Sequence, residues 1–191
     1  MLLDDWLAAL LATPGLTAIA DPAEARRVLL DDSLRAVPLV ERYDGAVVDV
    51  GSGGGAPGIP LAHALPERLF TLLEANGRKC EFLRRFAPAN ASVAQGRAEE
   101  QERDLFGVAL AKALAPPPVA AEWCLPLVRE GGAAILFVGP SADAGRAGRV
   151  AAQLAAELVE SPPGFLVLEK RGPTPPGFPR RPGIARKRPL A

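Results

Sequence analysis

The chain has 191 residues, 49% of them hydrophobic and 23% charged, with 22 basic residues balancing 22 acidic ones, as in an ordinary globular chain of one large domain. A single histidine and two cysteines exclude a structural zinc cluster, a disulfide framework, and any Ser-His-Asp triad not built on His63. No apolar run approaches the ~20 residues of a membrane span, and Asp4 and Asp5 stand where a signal peptide needs basic residues, so a cytoplasmic protein is expected, with Cys80 and Cys124 as core packing.

Trp6, Leu7, Leu10 and Leu11 fall at helical spacing before a break at Pro14-Gly15. Asp21-Pro22 reads as an N-cap with proline at the first helical position, opening a helix to about Arg42 that buries Val28, Leu29 and Leu34. The apolar run 46–50 ends at glycines and predicts a buried first strand. Residues 68–73 give a second strand, 78–86 a helix with Phe82, Leu83 and Phe86 on one face, and 91–94 a third strand. Residues 107–113 read as the fourth strand, 119–128 as a helix, and 133–138 as the fifth strand, led by Gly131-Gly132. Residues 150–158 read as helical; 157–160 and 165–169, separated by Pro162-Pro163-Gly164, read as a closing pair of short strands. Strands alternating with helices predict an α/β fold with a doubly wound, mostly parallel sheet, helices on both faces, and an antiparallel pair at the C-terminal end. The expected organisation is a helical N-terminal extension (1–42), a ligand-binding domain (43–171) and a basic, proline-rich tail (172–191).

The sharpest local signal is Asp49-Val50-Gly51-Ser52-Gly53-Gly54-Gly55-Ala56-Pro57-Gly58, between a buried strand and a helix. A bare turn has no need of four glycines in five positions; a ligand that approaches the main chain does. Two cofactors compete. Gly53, Gly55 and Gly58 satisfy the dinucleotide pattern G-x-G-x-x-G, but Pro57 and Pro60 remove N–H groups that a pyrophosphate would use. The shorter pattern of Gly51, Gly53 and Gly55 after Asp49 suits S-adenosylmethionine (SAM), which carries no phosphate. Asp49 would then lie near the ligand's amino-acid end. Glu74, about 20 residues on at a strand end, stands where an acid holds a ribose hydroxyl pair.

Charge is unevenly placed. From Glu169 to the C-terminus there are seven basic residues and Glu169 is the sole acid, which suggests an anionic partner at one end of the molecule. A disordered solubilising tail is the bland alternative.

Residues 48–62, from Val48-Asp49-Val50-Gly51 through Ala56-Pro57-Gly58-Ile59-Pro60, resemble the first motif of the RsmG (GidB) family. Leu16-Thr17-Ala18-Ile19 with Asp32-Ser33-Leu34 is similar to that family's N-terminal "NLTAI … DSL", and Arg78-Lys79-Cys80-Glu81-Phe82-Leu83 to its "KK..FL" helix. The ending Phe178-Pro179-Arg180-Arg181-Pro182-Gly183 through Arg186-Lys187-Arg188-Pro189-Leu190 resembles its "YPRR.G.P.K.PL". The resemblance implies a class I SAM-dependent methyltransferase acting on a guanine N7 of small-subunit (16S) ribosomal RNA. It places SAM contacts on Gly51, Ala56, Ala98, Glu99 and Lys112, with Glu74 at the ribose, and RNA phosphate contacts on Arg180, Arg181, Arg186, Lys187 and Arg188. The chain departs from the pattern at Lys112, where an arginine is usual, at Leu29, where a histidine is common, at Val138 for a lysine, and at Gly15 for an asparagine.

Guanine N7 already offers an in-plane lone pair, so the implied reaction is positional. No general base is expected, and Lys112 is the one candidate for a direct catalytic role. His63 is read as structural. The implied partner is 16S rRNA or the small subunit, with no metal or membrane, and a monomer is expected. The rival readings are a non-catalytic RNA-binding relative and a small-molecule SAM methyltransferase.

Overall fold

In the computed structural model, which describes residues 3–191, the chain opens with α1 (Leu3–Ala12), burying Trp6, Leu7 and Leu10. Asp21 caps α2 (Pro22–Ala25), its carboxylate accepting the Glu24 N–H at 2.7 Å. The helix then widens into a π segment, Arg26–Asp31, and returns to α geometry in α3 (Asp32–Leu34). The wider turn rotates the inner face: Ala25, Leu30 and Ser33 are buried, while the expected Val28, Leu29 and Leu34 are only half-buried. The helix also stops short of Arg42. It breaks at Arg35-Ala36, and α4 (Val37–Val40) starts afresh, because Pro38 has no N–H to continue the ladder.

Two strand–helix units follow: β1 (Val47–Val50) with α5 (Gly58–Ala64), and β2 (Phe70–Glu74) with α6 (Gly77–Phe86). Asn76 caps α6 by accepting the N–H groups of Arg78 and Lys79. Next come β3 (Ala91–Gln95), a 3₁₀ turn Ala98–Glu100, β4 (Phe106–Lys112) and α7 (Pro117–Cys124). A second 3₁₀ turn, Leu125–Leu127, finishes the helix expected to 128, and β5 (Val128–Phe137) therefore starts five residues earlier than Gly131-Gly132 suggested. The helix expected at 150–158 is displaced. Asp143 accepts the Arg146 N–H at 2.9 Å and starts α8 (Ala144–Gln153), while 156–158 belong to β6 (Ala156–Val159), paired with β7 (Phe165–Lys170). Gly145 and Gly148 mask the first turns of α8 in the sequence. A last short helix, α9 (Ile184–Lys187), lies near the C-terminus.

The seven strands form one sheet in the order β3-β2-β1-β4-β5-β7-β6. All pairs from β3 to β5 are parallel; β7 is antiparallel to both β5 and β6. Alternation along the strands feeds two buried layers. Val48, Val50, Ala109, Ala111, Ala134, Leu136 and Leu168 face α7 and α8. Val47, Val108, Leu110, Ala133, Ile135 and Val167 face the layer with Leu39, Tyr43 and Leu61. Trp6, Leu7 and Leu10 of α1 share a third cluster with Ile59, Leu72, Phe82 and Leu83, so the N-terminal helix packs directly beside the first strand–helix unit.

The last twenty residues fold back on the body. Lys170 is fully buried, and its ammonium reaches Asp104 (3.2 Å), Thr174 Oγ1 (2.7 Å) and the carbonyls of Leu125 and Val128. Beyond that anchor, Phe178, Leu190 and Ala191 lie against the α7–α8 layer and Ala185 is buried within it.

Among the described residues, no helix is long and apolar enough to cross a membrane.

Candidate active site

Strand order reverses between β1 and β4, and in open α/β sheets the crevice at the carboxyl ends of the strands flanking that point binds ligands. A cavity of about 300 Å³ opens there, lined by Val50, Gly51, Leu73, Glu74, Ala98, Glu99, Leu114 and Trp123, among others. A second, of about 350 Å³, adjoins it along the glycine loop and includes Gly53, Ala56, Lys79 and Lys112. Gly51 and Lys79 line both.

The loop is held from below and from both sides. Asp49 is 1% exposed and its Oδ2 accepts the Gly58 N–H at 3.1 Å. A Cβ at Gly58 would lie 2.6 Å from that oxygen and 2.4 Å from Leu72 Cδ2, so only glycine lets α5 start this close to β1. Burial pushes the Asp49 carboxyl up to about 7, against the Ser52 and Gly58 hydrogen bonds that favour its anion. Gly51 turns the chain at φ 71°, where a Cβ would strike Leu114. From α1, the buried Trp6 donates its indole N–H to Gly54 O at 2.8 Å.

Glu74 ends β2 with its carboxylate spread between two elements: Oε2 accepts the Gly53 N–H at 2.9 Å and Oε1 the Asn76 N–H at 2.8 Å. Each oxygen keeps a further lone pair for a hydroxyl. Glu99, which lines the same cavity, accepts the Gly183 N–H at 3.1 Å. Val50, Leu73, Leu114 and Trp123 give the cavity its apolar surface, Lys79, Arg97 and Arg186 add charge to it, and the buried indole N–H of Trp123 has no acceptor among the described residues.

Lys112 ends β4. Its ammonium donates to Val28 O and Asp32 Oδ2, both at 2.6 Å, and lies 4.9 Å from the Phe137 ring centre. Burial lowers the Lys112 pKa while Asp32 opposes that shift. Burial would raise the Asp32 carboxyl, but Lys112 and then Arg35 outweigh it and hold the carboxyl below its ordinary value. The motif residue Asp32 thus ties α3 to the end of β4.

Of the residues singled out in sequence, Gly51, Glu74, Ala98 and Glu99 line the first cavity, and Gly51, Gly53, Ala56 and Lys112 the second. Asp49 and Gly55 line neither; they act on the shape of the loop. The basic ending divides as well. Arg180 is committed to Glu122, which is 3% exposed, through two bonds of 2.5 and 2.6 Å. Arg186 lies over Trp123 at 5.2 Å and lines the first cavity. Arg181, Lys187 and Arg188 point their charge outward from exposed positions. Trp6, Trp123, Lys79, Asp32 and Gly183 were not anticipated as site residues, although the motifs quoted above contain Lys79, Asp32 and Gly183. Cys80 and Cys124 are buried, and burial raises both thiols. His63 sits half-buried on α5, away from both cavities.

Strand order, glycine loop and strand-end acid together define the fold of the class I SAM-dependent methyltransferases. Solved structures of that fold align with it: the T. thermophilus 16S rRNA N2 G1207 methyltransferase RsmC in complex with AdoMet and guanosine (TM-score 0.53, 16% identity, 70% of this chain and 37% of that one), and a SAM-dependent O-methyltransferase from Thermotoga maritima (TM-score 0.59, 15% identity, 83% and 72%). The chain belongs to the GidB family, rRNA small subunit methyltransferase G, whose model matches residues 4–158. Relatives named ribosomal RNA small subunit methyltransferase G include proteins of Synechococcus sp. strain JA-2-3B'a(2-13), 37% identical over 93% of this chain and 79% of the relative, and of Moorella thermoacetica, 33% identical over 92% and 82%.

Proposed function

We propose that this protein transfers the methyl group of SAM to N7 of a guanine in 16S ribosomal RNA. The observation that carries the reading is the cavity at the switch point, lined by Glu74 and by Ala98-Glu99, beside a loop shaped by Asp49, Trp6 and Gly51. Its donor set suits SAM. The free lone pairs of Glu74 match a ribose diol, and the walls of Val50, Leu73, Leu114 and Trp123 match a purine face. The short, proline-bearing α5 lacks the run of N–H donors that a pyrophosphate needs. The ammonium of Lys79, on the rim of both cavities, is available to a carboxylate there.

When bound, SAM supplies an electrophilic methyl on a sulfonium. The protein's own residues then orient and enclose. Glu74 fixes the ribose, Ala98 and Glu99 the adenine edge, and Gly51, Gly53 and Ala56 admit the amino-acid end along the loop, with Asp49 and Gly55 acting through loop shape. Lys112 holds the floor of the second cavity to Asp32 instead of transferring a proton. A third cavity, about 770 Å³, shares Ala113 with the other two and is lined by Pro116, Phe137, Val138, Asp143 and Arg146, among others. It has room for a guanine beside the methyl group, and the Asp143 carboxylate is an acceptor for that base's donor edge. No proton leaves N7 before attack, so alignment is the catalytic task. Arg181, Lys187 and Arg188 supply phosphate contacts.

The test is methyl transfer from labelled SAM to small subunits isolated without the modification, with the label mapped by cleavage at 7-methylguanosine. One labelled guanine supports the proposal. No transfer, with SAM bound, overturns it.

A further inference from the structure

The basic ending does more than extend the surface. Residues 178–191 reach the switch-point cavity through Gly183 and Arg186, and their two faces differ. The inner face is seated in the body. Arg180 makes its paired bond to the buried Glu122 and also donates to Arg188 O at 2.9 Å, which closes the segment on itself. Arg103 donates to Phe178 O, and Arg146 to Ala191 O, so both ends of the segment are tied down. Between these ties, the Gly183 N–H rests on Glu99 and the Arg186 guanidinium covers Trp123 and donates to Leu114 O at 3.3 Å. Gly183 and Arg186 line the 300 Å³ cavity; Arg186 and Pro189 also line the 770 Å³ cavity. Arg186 is therefore a wall common to both. The outer face carries Arg181, Lys187 and Arg188, all exposed.

The geometry points to a strap that couples the two ligands: residues 178–191 form a wall of the cofactor cavity with their inner face and hold RNA with their outer face, so each ligand raises affinity for the other. This rests on the function proposed above. Phosphates bound by Arg181, Lys187 and Arg188 keep the strap seated. A seated strap keeps Gly183 on Glu99 and Arg186 over Trp123, the two contacts that close the cavity around a purine. By linkage, the factor by which RNA tightens cofactor binding equals the factor by which cofactor tightens RNA binding. Arg186 is a positioning residue in this scheme, acting through Trp123 and Leu114 on the cavity's width. The paired Arg180 and Glu122 set where the strap sits, although neither lines the cofactor cavity.

The experiment is calorimetric titration of S-adenosylhomocysteine into the full chain, alone and saturated with transcribed 16S rRNA, for the wild type, Arg186→Ala and Arg180→Ala. RNA should tighten the wild-type Kd at least about fivefold, the lower end of usual coupling. Arg186→Ala should weaken binding about tenfold without RNA, with the fold retained by circular dichroism. Arg180→Ala should weaken binding similarly and reduce the RNA effect to below about twofold; if it fails to fold, Arg186→Ala still decides. A wild-type Kd that RNA does not move overturns the coupling, and an unchanged Kd in Arg186→Ala overturns the wall. No binding by the wild type overturns the cofactor reading itself, and this inference with it.

Discussion

Replacing Asp49 by asparagine should stabilise the protein at alkaline pH and cease to do so in acid. Asp49 is 1% exposed, and burial lifts its carboxyl to about 7, from 3.8 in an exposed aspartate. An acid whose folded pKa lies above its unfolded value binds more protons when folded. Stability therefore falls as pH rises from about 4 to about 7 and stays low above that. At about 1.4 kcal/mol per unit, three units amount to about 4 kcal/mol at pH 8. The asparagine carries no charge and its amide oxygen still accepts the Gly58 N–H, but its amide nitrogen lacks an assigned acceptor, which costs about 1–3 kcal/mol. A net gain of about 1–3 kcal/mol remains, or roughly 2–12 °C in melting temperature for a chain of this size. Melting curves of both proteins from pH 5 to pH 8.5 are the assay. The gap should shrink steadily toward pH 5 and there vanish or reverse. A difference that does not change with pH, or a variant less stable at pH 8 than at pH 5 relative to the wild type, would show that the folded protein does not hold the Asp49 carboxyl above its ordinary value. S-adenosylhomocysteine affinity should stay within about threefold, since Asp49 acts on the loop from beneath.

Glu74→Gln should weaken S-adenosylhomocysteine about 10- to 100-fold by calorimetry, the value of charge-assisted hydrogen bonds of about 1.5–3 kcal/mol, with the fold retained by circular dichroism. Lys170→Met should lower stability by about 3–5 kcal/mol in urea unfolding, because Asp104 and Thr174 are left without the buried cation they face. Lys112→Met should cost about 1–3 kcal/mol by loss of the charged bond to Asp32. Asp32's lowered carboxyl stabilises the fold above its unfolded pKa, and that stability is lost as pH falls through the folded one, so the gap between wild type and Lys112→Met should narrow in acid. Replacing Arg181, Lys187 and Arg188 together by alanine should reduce the salt dependence of RNA binding by up to about 2–3 in slope while leaving cofactor affinity in the absence of RNA unchanged; an unchanged slope would remove these residues from the RNA surface.

The glycine loop, the strand-end Glu74 and the parallel sheet with its antiparallel end were legible because each has a local cause. Buried strands read as apolar runs, glycines mark close backbone approach, and Asp21-Pro22 marks a helix start. The π segment at Arg26–Asp31 was not legible, since no residue type demands it and its effect is a rotated face. The beginning of α8 was hidden by two glycines that its packing tolerates. What escaped most completely was long-range pairing. Arg180 with Glu122, Lys112 with Asp32, and Trp6 with Gly54 join residues 58, 80 and 48 positions apart. An arginine destined for a buried carboxylate looks, in sequence, like its neighbours destined for phosphate. For that reason the basic ending read as one surface, although the fold assigns Arg180 and Arg186 inward and Arg181, Lys187 and Arg188 outward.

The methyl transfer proposed for the switch-point cavity is to guanine N7 of 16S rRNA. It is tested most directly by incubating the protein and labelled SAM with small subunits lacking that modification, then mapping 7-methylguanosine by cleavage. Label is expected at one guanine, abolished or strongly reduced by Glu74→Gln. Label at no guanine from a protein that binds SAM, or label on a base atom other than N7, would contradict it.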